Sequence, residues 1–564
     1  MISTPESREK LLVDLVRIPS VTSSPYENDA AVFVFDRLSG LDYFKKNPSH
    51  LSMISTPLEG DESRPLHSVA ARMMAPAATK KTVVFVAHYD VVNVDVYGEL
   101  AEYAFEPYEL AMRLDPDELP ERAAHDLLSG DYLFGRGIMD MKCGLALEME
   151  LLRDYDADRK LFDVNVILLA VPDEENNNCG MRGAVRYLAD LKNSEGLEYI
   201  AGIDTEPGDP GLPDAKNQLV FLGALGKMLP AFYCAGIEAH VGNYYRGLSS
   251  ALLSSQIVCA AEASPALADP VRGVCYPSWI CLENRIISEG YSVTVPKKSI
   301  TYFNCFVARK SPADVVEDMK RVANEAAERA VRQIEESRGE LSRMGCSSNV
   351  ILDSPVRVIT YSELLTMAEA AFGGGAQDLR RHISGLVRQF GAVDIRSKGV
   401  AIIDEIAKVS GIKPPFIAVG FLPPYIPQRS SMNNYPLLRA VDRMIVYAFE
   451  KYRVAIDKAE FFAGLCDLSF MGFSGNMDDA RVFNDNCPAS GELYVVPFEE
   501  MTEIDMPVVN LSTCGYDAHR MTERLEKNYS LKILPELIAF TVNALSEEYD
   551  KFISMPRTQG NRLA

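Results

Sequence analysis

Residues 164–175 read VNVILLAVPDEE, and residues 82–90 read TVVFVAHYD. Both stretches are short runs of β-branched and aliphatic residues that stop abruptly at acids or a histidine. The spacing predicts strands over Val164–Val171 and Thr82–Ala87 and helices over Gly144–Tyr155 and Met181–Lys192, with a further strand at Tyr199–Ile203. Strands apolar on both faces and separated by helices indicate a parallel sheet covered on both sides. In such a sheet ligands bind beyond the carboxyl ends of the strands. The polar residues that close each run are therefore the place to look for chemistry.

Outward from this nucleus, residues 5–18 are expected to open the chain as a helix, with Pro5 in its first turn. The texture changes after Gly226. Leu229–Ala235 is an expected strand, and Tyr291–Val295 and Ile300–Val307 are an expected antiparallel pair joined through Pro296-Lys297-Lys298. Ser311-Pro312-Ala313-Asp314 should cap a long helix that runs to about Arg343. Residues 361–408 look mostly helical, as an insertion would. Phe416–Leu422 returns to the buried-strand texture, followed by expected strands at Leu493–Pro497 and Pro507–Leu511 and a helix near 530–553. The expectation is an α/β domain with a mostly parallel sheet and helices on both faces, formed by residues 1–224 and 413–564. It is interrupted by a smaller α+β lid or dimerisation domain at 225–412.

A chain of 564 residues exceeds one ordinary core. Its 47% hydrophobic and 24% charged residues are those of a globular protein. The net charge of −22 argues against nucleic acid, whose phosphates need a basic surface. Eleven cysteines lie scattered with no CxxC pair, which reads as reduced thiols. The first residues show no signal pattern, and no apolar run approaches the ~20 residues of a membrane span. These features predict a cytoplasmic protein with no membrane or nucleic-acid partner.

Five short motifs close the expected strands or open the helices. His88-Tyr89-Asp90 follows TVVFVA. A lone histidine there is more often structural, but a carboxylate two residues on can bond the second imidazole nitrogen and fix its tautomer. Gly135-Arg136-Gly137 leads through a tight turn to Asp140 before a helix; the plain alternative is a capping aspartate, and no phosphate-loop pattern is present. Asp173-Glu174-Glu175 puts three acids at one strand end, which is costly unless cations or protons neutralise them, or unless the loop is simply solvated. Asp204-Thr205-Glu206-Pro207 closes another strand, and Gly515-Tyr516-Asp517-Ala518-His519-Arg520 precedes the last helix. Together they gather histidines and carboxylates at one edge of the sheet. The mixed nitrogen and oxygen donors suit zinc, with manganese or cobalt as alternatives. The chain has only seven histidines, and three of them (88, 240 and 519) sit in such contexts.

With these residues in view, the sequence resembles the two-metal exopeptidases and deacylases that include glutamate carboxypeptidase, aminoacylase and succinyl-diaminopimelate desuccinylase. Within them it is most similar to the RocB-type arginine-utilisation proteins, which carry an enlarged second domain. The matching stretches are HYDVV (88–92), GRGIMDMKCG (135–144), PDEE (172–175), TEP (205–207), GIEAHVG (236–242) and GYDAHRMTE (515–523). The resemblance implies a zinc-exopeptidase-like fold and two divalent metal ions. His88 and Glu206 would bind one ion, Glu175 and His519 the other, with Asp140 bridging. Asp90 would support His88, and Glu174 would be the general acid/base. His240 is implied in binding the substrate carboxylate or an oxyanion, often across a homodimer interface. Asn304 in Tyr302-Phe303-Asn304 stands where the family often has Arg-x-Asn, and only the asparagine is kept. The implied activity is hydrolysis of an amide bond in a small N-acyl amino acid or short peptide with a free carboxylate. The competing reading is a metal-binding regulator or scaffold without turnover, against which the retained Glu174 counts.

Overall fold

The computed structural model describes residues 3–58, 61–208, 217–288, 290–345, 355–391, 393–462 and 464–555. A large sheet of eight strands runs in the order Leu51–Leu58, Asp61–Met73, Asn165–Val171, Lys81–His88, Glu198–Asp204, Val508–Leu511, Gln218–Phe221, Ile456–Ala459. Its four central strands, from Asn165–Val171 to Val508–Leu511, are mutually parallel. Alternation along them explains the uninterrupted apolar runs. Val83, Phe85 and Ala87 face one core together with Val166, Leu168 and Ala170. Val84 and Val86 face the other together with Ile167, Leu169 and Val171. Each valine, leucine, isoleucine or phenylalanine among them contributes roughly 1.5–3 kcal/mol by burial, which a polar residue on either face would lose.

Helices cover both faces. Pro5–Val16, Lys142–Ala157 and Leu534–Ser554 pack on one side, and Cys179–Glu195 on the other. The register places the functional ends level. His88 stands opposite Val171, and Asp204 opposite Asn510. The motifs that follow these strands therefore emerge along one edge.

The chain leaves the large sheet at Gly223–Ala224, which pairs with Arg429–Ser430. Between these crossings lies a second sheet, in the order Ile280–Ile286, Lys298–Val307, Gly226–Ala235, Phe416–Ile426, Arg357–Thr360. One face is covered by Ser250–Ala261 and the 32-residue helix Pro312–Arg343. Ser311 caps that helix with a reciprocal bond to Asp314. The other face is covered by Tyr361–Ala371, Gly375–Gln389 and Ile395–Val409, the helices expected at 361–408.

Three expectations are corrected. Tyr291–Val295 is not a strand; Ile280–Ile286 takes its place beside Lys298–Val307, and Thr294 makes only an isolated bridge to His240. The 291–295 segment has strand composition, but Ile280–Ile286 already occupies the edge of Lys298–Val307 that it would join, so tertiary context overrides propensity. Leu493–Pro497 is a turn between the helices Met477–Asn486 and Phe498–Ile504. Phe416–Ile426 pairs along its length with Gly226–Ala235 and so lies in the smaller sheet, beyond the division expected at 412/413. A strand buried on both faces looks the same in sequence whichever sheet holds it. Among the described residues, no helix is long and apolar enough to cross a membrane, and the described cysteines are free thiols.

Candidate metal centre

His88 ends its strand with its imidazole buried. Its Nδ1 lies 3.0 Å from the Asp90 carbonyl oxygen, and the Asp90 carboxylate is farther, at 3.6 Å. The backbone of Asp90, not its side chain, thus fixes the ring. The Asp90 carboxylate does something else: it accepts the backbone N–H groups of Glu174 (3.0 Å) and Glu175 (3.2 Å) and the Thr22 hydroxyl (3.0 Å). It therefore anchors the acidic loop that follows the neighbouring strand. Asp173 shapes the same loop from φ +65°, accepting from the Cys179 backbone and the Asn176 amide.

The remaining imidazole nitrogen, Nε2, faces Asp140 at 3.3 Å, Glu206 at 3.5 Å and Glu174 at 4.0 Å. Across the same Asp140, His519 Nε2 lies 3.1 Å from its second oxygen and 2.9 Å from Glu175. Two groups result, His88–Asp140–Glu206 and Asp140–Glu175–His519, each with donor atoms within 4.8 Å of one another. Asp140 belongs to both. His519 is half exposed, so the second group opens toward solvent. His519 stands at φ +66°, a conformation that non-glycine residues rarely adopt and that active sites retain.

The turns before these ligands have steric reasons. Gly137 sits at φ +73°, and a Cβ there would meet Val91 at 2.5 Å. Gly144, one turn into the helix after Asp140, packs directly on Thr205, so any side chain would push the helix away from the Glu206 loop.

Electrostatics show a centre built for cations. Burial, and secondarily repulsion from Glu175, Asp467 and Glu206, raises the Glu174 carboxyl well above its ordinary value. Burial pushes Glu206 up to about 8 and raises Glu175. Bonds to Asp140 and Glu175 lift His519 to about 11. Burial lowers the affinity of His88 for a proton, but Glu206 and Asp140 outweigh it and hold the ring well above its usual range. Protons on the imidazoles thus balance a nest of carboxylates, the role two dications would fill. Among the described residues, Glu174 Oε1 is buried without a hydrogen-bond partner. The donor set of two imidazoles and three carboxylates fits two borderline or hard dications.

Several residues of the centre escaped the sequence reading. Arg136 and Glu523 form a buried ion pair of 2.5 Å. Glu523 also accepts from the backbone of Met139 (3.3 Å) and Asp140 (3.5 Å), while Arg136 donates to the His519 carbonyl at 3.1 Å. The pair ties the two ligand loops together. Each partner lies four positions from a ligand inside a quoted motif, which was the available signal. Asp467, buried beside His88 and Asp90 and pushed by burial to about 7, had no motif to mark it. His240 is not part of the cluster; it is exposed beyond the end of Gly226–Ala235 in the smaller sheet, where its Nδ1 accepts from the Gly242 backbone at 3.1 Å. Asn304 is buried in Lys298–Val307 and belongs to neither ligand group.

A family model described as peptidase family M20/M25/M40 matches residues 84–473, the greater part of the chain. The chain belongs to this family. The uncharacterized protein YqjN of Bacillus subtilis is 31% identical over 540 residues, covering 95% of this chain and 96% of that one. Protein RocB of the same organism is 26% identical over 559 residues, covering 98% of each. The M20 family metallo-carboxypeptidase Sso-CP2 from Sulfolobus solfataricus shares the fold, with a TM-score of 0.53 at 13% identity over 96% of this chain and 99% of that chain. As an M20 protein the chain is a hydrolase of the metallopeptidase type.

Proposed function

We propose that this M20 protein hydrolyses an amide bond in a small N-acyl amino acid or short peptide bearing a free carboxylate, with one divalent cation at each ligand group. The observation that carries the reading is the shared Asp140 beside an uncommitted Glu174. When bound, the two ions, zinc or else manganese or cobalt, supply a water of lowered pKa, polarise the scissile carbonyl and offset the negative charge around Glu174. Glu174 takes the proton of the attacking water on Oε1 and delivers it to the leaving amine nitrogen. Asp90 holds Glu174 and Glu175 in place through their backbone N–H groups. His88 and Glu206 on one side and Glu175 and His519 on the other would hold the cations, with Asp140 available to both.

The free-carboxylate substrate class is supported by the carboxypeptidase that shares the fold. Exposed His240 in this reading acts on the site of a second copy. The edge strand Ile280–Ile286, with Ile280, Leu282 and Ile286 exposed, supports a homodimer built there. Free thiols support a reducing, cytoplasmic setting. The test is metal analysis of the purified protein followed by a turnover screen of N-acyl amino acids and dipeptides. Two ions per chain and chelator-sensitive release of amine are expected; two ions with no turnover on any member would favour the scaffold reading.

A further inference from the structure

The smaller domain presents a cation to the metal centre that has no partner of its own. Along Gly226–Ala235, Leu229, Ala231, Tyr233 and Ala235 point to the face covered by the helices of residues 361–409. Strand alternation puts Lys227 on that same face, at the end nearest the crossing to the large sheet. Facing strand Lys298–Val307 contributes Tyr302, opposite Ala231, and by the same alternation Asn304. Leu225, two residues before Lys227, accepts a bond from Ser469 in the segment Asp467–Phe470 that lines the centre.

A second cation braces this end. Arg396, in the first turn of Ile395–Val409, donates to Asn177 (3.1 Å) and Asn176 (2.9 Å), the residues directly after Glu175. Its charge is already matched by Asp394 at 2.6 Å. The buried cations near the ligands are likewise committed: Arg136 to Glu523, and Lys142 to the Ile18 carbonyl at 2.7 Å. The half-buried Lys227 ammonium has no hydrogen bond or ion pair among the described residues. Burial lowers its affinity for a proton, while Glu174 and Glu175 act on it in the opposite sense, so it lies within electrostatic reach of both. Once cations neutralise those carboxylates, a largely desolvated ammonium is left facing the site without a counter-ion, a costly state that an arriving anion relieves.

We propose that Lys227 is the specificity-determining residue that binds the substrate carboxylate within its own chain, at the mouth formed with Asn304 and braced by Arg396. This rests on the amide-hydrolase reading above. It assigns to the enlarged domain a carboxylate subsite that does not depend on His240 of a second copy.

The test uses the metal-loaded full chain in a Glu174→Gln background, so that probes are not consumed. N-acetyl amino acids and their carboxamides are titrated by calorimetry. The parent should bind the acids roughly 10- to 100-fold more tightly than the amides, the range of one charge-assisted hydrogen bond. Lys227→Met should erase that preference by weakening the acids alone, with two ions still bound. Lys227→Gln should behave alike, and Lys227→Arg should restore most of the preference. A preference that survives in both neutral variants, an absence of preference in the parent, or an equal loss for acids and amides would overturn the assignment. If acid preference depends on Lys227 yet the wild type turns over no substrate, the subsite stands and the hydrolase reading fails.

Discussion

Replacing Glu523 by Gln removes one charge from a pair whose members are 0% and 1% exposed. Arg136 would then keep a buried positive charge beside the carbonyls of Asn93 and His519 and the Tyr97 ring, with no carboxylate partner among the described residues. Breaking a buried pair by removing one partner costs about 3–5 kcal/mol. Unfolding entropy of about 2.1 cal/mol/K per residue gives ~1.2 kcal/mol/K for this chain, so Tm should fall by about 3–4 °C. The loops carrying Asp140 and His519 lose their tie at the same time. Outer-layer losses of this kind typically weaken metal affinity ~10- to 100-fold. Thermal unfolding of the metal-loaded protein and metal analysis after dialysis read the two effects separately. The double variant Arg136→Met, Glu523→Leu fills similar volume without charge and should recover most of the Tm but not the metal affinity. A single variant with unchanged Tm and both ions retained would refute the reasoning, as would a double variant that restores both.

Two further outcomes follow from the electrostatics and from the surface. The folded-state pKa values of Glu206 (about 8, against 4.5) and His519 (about 11, against 6.5) are raised, so the stability each contributes is full below the unfolded value and lost as pH rises through the folded one. The metal-free protein should therefore weaken from about pH 5 to 8, while cations that replace these protons should bind more tightly, raising Tm by ~1 °C per tenfold gain in affinity; a metal-induced Tm gain that is flat from pH 5 to 8 would contradict this. If His240 serves the site of a second copy, mixing inactive His240→Ala with inactive Glu174→Gln should regenerate activity in hybrid dimers, and light scattering showing only monomers at micromolar concentration would remove that role.

The parallel centre of the fold was legible because strands buried on both faces are apolar along their length, as residues 166–171 are. His88, Glu175, Glu206 and Asp140 were legible because each follows such a strand or precedes the helix beside it, whereas His519 lies in the turn between Gly515–Tyr516 and Arg524–Glu526. What composition could not convey was pairing. YSVTV at 291–295 and ICLENRI at 280–286 both suit a strand, and only the edge of Lys298–Val307 decides between them. Phe416–Ile426 carries no mark of the sheet it joins. Asp90 was legible as a site residue, but whether its carbonyl or its carboxylate meets His88 depends on loop geometry a sequence does not express. Lys227 and Asp467 lie in no motif; only the folding of distant segments onto the strand ends gives them a place near the centre.

Neighbouring Glu174 and Glu175 provide the most direct measurement of the central claim. Glu175 is 2.9 Å from His519 in one ligand group, whereas Glu174 Oε1 has no hydrogen-bond partner among the described residues. Glu174→Gln keeps the shape and removes the ability to take a proton. Metal content should stay at two ions per chain while turnover falls by at least ~10²–10⁴-fold. Glu175→Gln should instead lose metal first, with activity falling as a consequence. Metal content and turnover measured side by side on the two variants decide the matter: the account predicts this contrast, and equal metal loss in both, or full turnover by Glu174→Gln, would contradict it.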